Sequence, residues 1–340
     1  MPAPQVLLVA AALAIVPSLL YLVVLNAIDR YEKEPWTILV SGVLLGGIVA
    51  PLAVIGLLVL SGRGPELTPS FAPRPTGADP FVAIVQELVK GGLLIALVNV
   101  VRDEFDDVLD GIVYGAALGA GFGAAESFVY ALGGTTGLSG GTVIALLISG
   151  LNHAFYTAVF GGVLGYARTF VDRRIRFLVA VYGLATAVLL HSIHDALPTM
   201  LSRVLGQPDA TIGVVTRLLA TAINVLGIVT LGAAIIWALR REARVLTTEL
   251  RPELEAGVIS ATDYETIAAL RRRLARQAAV LRAQGVEQAR TLRRLYATEG
   301  ELAFHLRRLG IRHRRRPSAA RTEELREEIR RLRRELGEEP

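Results

Sequence analysis

The sequence contains no cysteine, so neither a disulfide framework nor a thiolate metal site is open to it. Aromatic residues make up only 6% of the chain, and no basic stretch is interleaved with them, which excludes a stacking platform for single-stranded nucleic acid. Lysine is nearly absent, Lys33 and Lys90 being the only two. A shortage of apolar residues, the mark of disorder, is also missing: 52% of the 340 residues are hydrophobic and the mean hydropathy is +0.48. What fills the chain instead is a series of long apolar runs, and a membrane protein is the class that remains.

Runs near the 20 residues needed to cross a bilayer core fall at about 5–28, 37–61, 81–101, 108–132, 142–167, 177–198 and 212–239. The pattern predicts an all-α, polytopic helix bundle of about seven transmembrane helices over residues 1–239, followed by a charged helical tail over 240–340. The first run is read as a spanning helix rather than a signal peptide, because its MPAPQ start is uncharged and the run is too long. Charge divides at the same place: 12 Lys and Arg against 15 acids up to residue 239, then 24 Arg against 16 acids. Arg168, Arg173, Arg174 and Arg176 follow the fifth run and Arg240, Arg241 and Arg244 open the tail. Positive loops stay inside, so the reading is a multi-pass cell-membrane protein with its N-terminus outside and its tail in the cytoplasm. The 62–80 connection, with five prolines, is expected to be extended and external.

In the tail, Thr262-x-x-Glu265 reads as a capping box. Leu325, Ile329, Leu332 and Leu336 form an apolar stripe that suits a short coiled coil, a helix on anionic lipid or, most simply, a solvated charged helix.

Ionisable groups within apolar spans cost a few kcal/mol each on insertion scales and are by default hypotheses about function. They are few: Glu87 and Lys90 in the third span, Glu126 in the fourth, His153 in the fifth, and His191, His194 and Asp195 in the sixth. Counted from the span ends, Glu87, Glu126 and His191 all lie roughly 9–10 Å below the same face, which the charge argument makes the outer one. Gly111, Gly115, Gly119 and Gly123 form a small-residue stripe for close helix contact, and Glu126 lies on its face with Tyr130 one turn on. His191, His194 and Asp195 share one face at i, i+3 and i+4. The plainer alternatives are that Glu87 and Lys90 merely neutralise each other and that Glu126 is a packing group.

In this order these segments resemble the PrsW family of intramembrane proteases, distantly related to the CAAX-prenyl-protease-like membrane proteins. The likeness covers roughly residues 18–200. It rests on Asp29-Arg30-Tyr31-Glu32-x-Glu34-Pro35-Trp36, on Gln86-Glu87-Leu88-Val89-Lys90, and on Phe105-Asp106-Asp107-x-x-Asp110-Gly111 through Glu126-Ser127-x-x-Tyr130. Asn152-His153-Ala154-Phe155 and His191-Ser192-Ile193-His194-Asp195 complete it. No single piece is specific; their order on successive helices is. Gln86 departs from the family pattern, which has two glutamates there.

The resemblance implies hydrolysis of a membrane-anchored protein, such as a single-pass anti-sigma factor, near the outer face. Glu87 is then cast as general base, His153 and His191 as donors that polarise water or stabilise the oxyanion, Asp195 as orienter of an imidazole, and Lys90 as partner of Glu87. Glu126 stands in reserve as the carboxylate, with Gln86, His194 and Tyr130 supporting. Metal-free glutamate chemistry is favoured because His-Glu-x-x-His is absent, with zinc on Glu87, His153 and His191 as the alternative. Partners expected are the substrate, the bilayer and another copy through the tail, and no nucleic acid. Two other functions stay open: a catalytically inactive relative that binds and signals, favoured by Gln86, and a transporter or proton relay built on the buried acids and histidines.

Overall fold

A computed structural model describes residues 4–28, 31, 34–63, 80–102, 104–105, 107–133, 140–204, 210–311 and 319–338. Most of the proline-rich connection, the 134–139 loop and Asp106 lie outside them. Among the described residues every regular element is helical. The chain divides into two compact units, one of residues 1–29 and 34–235 and one of residues 30–33 and 236–340.

The first unit opens with α1 (Pro4–Ile28), where Pro17 lacks one backbone donor and the neighbouring Ser18 hydroxyl donates to the Ala14 carbonyl at 2.9 Å. Next, α2 (Trp36–Leu44) passes through a wider π turn (Leu45–Val49) into α3 (Ala50–Leu58). The widening has a local cause: the ring of Pro51 would otherwise crowd the carbonyl of Gly47 one turn earlier. Four helices follow, α4 (Pro80–Val100), α5 (Val108–Gly133), α6 (Gly140–Ala167) and α7 (Arg173–Val204), and then α8 (Ala210–Glu249), which runs on into the second unit.

Helices thus stand at all seven expected places, and those of α1, α2–α3, α4, α5 and α7 are long and apolar enough to cross a bilayer. The most apolar stretch of α5 is 83% buried, against 17–50% in the other four, so α5 is the axis of the unit. Its glycine stripe explains why. A Cβ at Gly111, Gly115, Gly119 or Gly123 would run into the α6 backbone at Gly161, Thr157, His153 or Gly150 respectively. On the opposite side Gly46 and Gly121 bring the α2–α3 segment equally close. The helix starts on Asp107 and Asp110, whose carboxylates accept from the Val108 and Asp107 N–H groups. Outward-facing Leu19, Leu20, Leu52 and Leu57 stay exposed, as a lipid solvent permits.

The second unit comprises Tyr31, the end of α8, α9 (Arg251–Glu255), α10 (Ala261–Ile267), α11 (Leu270–Ile311) and α12 (Ala319–Glu335). It corrects two expectations. The α12 stripe is neither solvated nor an open seam: Leu325, Ile329 and Leu332 are 0–3% exposed and pack with Leu246, Leu250, Leu292, Leu295 and Tyr296 into a core. The α10 cap is Ser260 rather than Thr262, its hydroxyl oxygen accepting from the Asp263 N–H at 3.0 Å. Tyr31 is tied into this unit by its hydroxyl, which donates to the Ala268 carbonyl at 2.9 Å.

Candidate active site

The close approach of α6 to α5 puts His153 beside α4 and α5 at once. Its Nδ1 lies 3.2 Å from Lys90 Nζ and its Nε2 2.7 Å from Glu126 Oε2. On α4, one turn apart, Lys90 Nζ donates to Glu87 Oε1 at 2.5 Å. The same oxygen lies 2.7 Å from His191 Nδ1 on α7, whose Nε2 lies 3.4 Å from Asp195 Oδ2. Read in order, Asp195, His191, Glu87, Lys90, His153 and Glu126 form one chain of contacts across four helices. Its four inner members are buried, at 0–4% side-chain exposure, while Glu126 and Asp195 at the two ends are 19% and 25% exposed.

Aromatic rings wall the centre. Tyr156 stacks on His191 with centroids 4.9 Å apart, Phe122 meets His153 edge-on at 5.0 Å, and Lys90 Nζ sits 4.9 Å from the Phe122 centroid. Neither ring was given a role from the sequence, although Tyr156 is one turn from His153 and Phe122, within the Gly-rich segment, is one turn from Glu126. Asn152, part of the histidine segment quoted from the sequence but given no role there, brings its amide nitrogen to 3.4 Å from His194 Nε2. His194 thus sits beside the chain of contacts rather than within it. Gln86 is buried, and its side-chain oxygen finds no partner among the described residues. Tyr130 is not brought to this cluster; it packs beside Ala10 and Ala131 instead.

Glu87, His153 and His191 each present a ligand-type atom within 4.8 Å of the others. Two imidazoles and a carboxylate are a donor set that could hold a metal ion. Each imidazole turns Nδ1 toward the Glu87–Lys90 pair and Nε2 toward a carboxylate, the outer support that metal-binding histidines usually have.

The comparisons with known proteins agree with this geometry. A family profile described as PrsW family intramembrane metalloprotease matches residues 34–236, a range that includes every residue of the cluster. Protease PrsW of Geobacillus kaustophilus (strain HTA426) is 30% identical over 169 residues, 49% of this chain and 69% of that protein. Protease PrsW of Bacillus subtilis (strain 168) is 30% identical over 178 residues, 51% of this chain and 75% of that protein. No solved structure matches the chain.

Proposed function

Because the chain belongs to the PrsW family of intramembrane metalloproteases, we propose that it is an intramembrane endopeptidase that hydrolyses a peptide bond of a membrane-anchored protein at the Glu87–His153–His191 cluster. The observation that carries this reading is the convergence of six hydrogen-bonding ionisable groups from four helices inside an apolar bundle. So costly an arrangement is retained where chemistry needs it.

The residues that would hold a metal are Glu87, His153 and His191, and an ion there supplies Lewis acidity and a more acidic water. The chain's own groups do the rest. Glu126 and Asp195 accept from the outer imidazole nitrogens and keep both rings turned inward. Lys90 offsets the charge of Glu87, which low dielectric makes expensive to leave alone. As water adds to the substrate carbonyl its proton passes to a carboxylate, and from there to the leaving nitrogen. Glu87 is that carboxylate when it is not a ligand. When it is, Glu126 takes the role, since it stands at the open edge of the site where substrate arrives.

Substrate entry, on this reading, is from the extracytoplasmic side, with the N-terminus outside and the tail in the cytoplasm; a single-pass regulator such as an anti-sigma factor is the substrate class. The chain of contacts also favours a proton relay as the second reading. Against that, both exposed ends, Glu126 and Asp195, lie toward the C-terminal ends of α5 and α7. These helices run in the same direction, so a proton would enter and leave on one face.

The test is reconstitution in lipid with single-pass substrates, comparing wild type, Gln86→Glu, Glu87→Ala and His153→Ala. Cleavage by wild type that disappears in both alanine variants is expected. Cleavage by Gln86→Glu alone would make this a scaffold silenced at one side chain, and silence in all four with substrates of both topologies would remove the protease reading.

A further inference from the structure

The apolar stripe of α12 is consumed by the core of the second unit, but the first half of α11 leaves a different face open. Between Glu265 and Glu287 the sequence contains no acid and five arginines. This half ends at Gly285, where φ of 87° breaks the helix. Its inner side is seated: Arg276 pairs with Asp263 at 2.5 Å, and Val280 packs on the core. The outer side carries Arg271, Arg272 and Arg282 together with Leu274 and Leu281, 54% and 43% exposed, and Val286 follows just beyond the break at 56%.

The arginines of α12 are treated differently. Arg321, Arg326, Arg330 and Arg331 each meet a carboxylate at 2.5–3.1 Å. On the α11 face Arg272 has only a 3.8 Å contact with the exposed Glu265, and Arg271 and Arg282 have no ion pair among the described residues. One surface of the unit therefore combines uncompensated positive charge with protruding leucines, and the unit is covalently joined to helices that cross a bilayer.

We propose that the outer face of residues 271–286 docks on the anionic headgroup surface of the membrane that holds the first unit, with the arginines at lipid phosphates and Leu274, Leu281 and Val286 dipping among the acyl chains. Anionic lipid attracts each basic residue near the surface with about a fivefold gain in binding. The tether to the spanning helices removes most of the entropic cost of finding that surface. The apolar side chains give the contact the amphipathic form that interfacial helices use. An acidic protein partner would satisfy the arginines but has no reason to select the leucines at the same place.

The chain has no cysteine, so Ala275→Cys in the 340-residue chain gives a unique site on this face for a polarity-sensitive fluorophore. In proteoliposomes containing phosphatidylglycerol the label is expected to shift to the blue and be quenched by lipid-borne quenchers. With phosphatidylcholine alone, or after added salt, it should stay in water. Changing Arg271, Arg272 and Arg282 to Gln should lower the docked-to-free ratio by about a hundredfold. A label at Glu327→Cys on α12 should remain polar throughout, and a salt titration of the otherwise wild-type protein carries the test if the triple variant misfolds. A label that is equally polar in both lipids overturns the proposal. So does one that is buried in detergent in proportion to protein concentration, which would assign the face to a second copy of the chain.

Discussion

Gly119→Ala adds a single methyl group and is expected to disable the site without unfolding the bundle. A Cβ at this position points at the backbone carbonyl of His153, which has no flexible end to swing away. Alanine gains about 1 kcal/mol of helix propensity over glycine, while an overpacked methyl costs about 1–3 kcal/mol. The net loss of stability is then at most about 2 kcal/mol, and the bundle survives. Geometry is affected more severely, because the contact is relieved only by moving α6 away from α5. His153 would move with it, away from Lys90 and Glu126, and a displacement of about 1 Å in a catalytic constellation costs on the order of 100-fold in rate. The assay is cleavage of a single-pass substrate in proteoliposomes, with zinc affinity as a readout that does not require turnover. Gly92→Ala on α4 serves as control, since a Cβ there meets nothing within 4 Å. Wild-type cleavage and zinc affinity in Gly119→Ala would refute the idea that the glycine seam sets the position of His153.

Lys90→Met removes the amine that donates to Glu87 Oε1, and a buried pair broken on one side costs about 3–5 kcal/mol. A large drop in the detergent melting temperature is expected, largely restored in the Glu87→Gln, Lys90→Met double variant; a melt that the single change leaves alone would show the pair to be dispensable. In the second unit burial pushes the Glu299 carboxyl well above its usual 4.5, and neither of its oxygens has a hydrogen-bond partner among the described residues. The folded state therefore holds this proton more tightly than the unfolded chain. The stability it contributes is full below about 4.5 and is lost as pH rises through the folded value. Glu299→Gln should stabilise the unit increasingly above pH 4.5 and flatten its stability profile, as chemical denaturation across pH will read; identical profiles for the two proteins would contradict the assignment.

Residues on one helix were legible in the sequence wherever helical spacing alone fixes them. Glu87 with Lys90, and His191 with Asp195, needed only the i, i+3 and i+4 rule. The glycine stripe announced a close seam but not its register, and register decides that Gly119 faces His153 and that His153 reaches Lys90. The aromatic walls depend on the same offset, which explains why helical spacing alone gave Tyr156 and Phe122 no role. Tyr130 lies one turn beyond Glu126, but by that height α5 packs beside Ala10 of α1, and a neighbour from another part of the sequence decides what the ring touches. The α12 stripe misled for a different reason: an apolar stripe specifies that something covers it, not whether lipid, another copy or the same chain does so. At α10 the box pattern Thr262-x-x-Glu265 pointed two residues too far along the chain. Ser260 is the cap because it keeps an extended backbone, with ψ of 156°, and the helix begins at Ala261.

The charges of the site carry the argument about metal further than its shape does. By formal charge, three carboxylates, Glu87, Glu126 and Asp195, meet one lysine, Lys90, among the described residues, so with both imidazoles neutral the cluster lacks two positive charges. A low-dielectric interior does not tolerate such a deficit uncompensated. Protons can supply it, and so can one divalent cation held by Glu87, His153 and His191. Protons and metal then compete for the same two charges, and zinc affinity should rise steeply with pH, each metal ion displacing protons into the buffer. Calorimetric titration in two buffers of different ionisation heat measures that release, and metal analysis of purified protein should find about one zinc per chain, lost in His153→Ala and in His191→Ala. Stoichiometric zinc that survives both substitutions would place the ion elsewhere. Cleavage that persists in metal-free protein would assign the chemistry to the carboxylates alone, with Glu87 rather than Glu126 taking the proton of water.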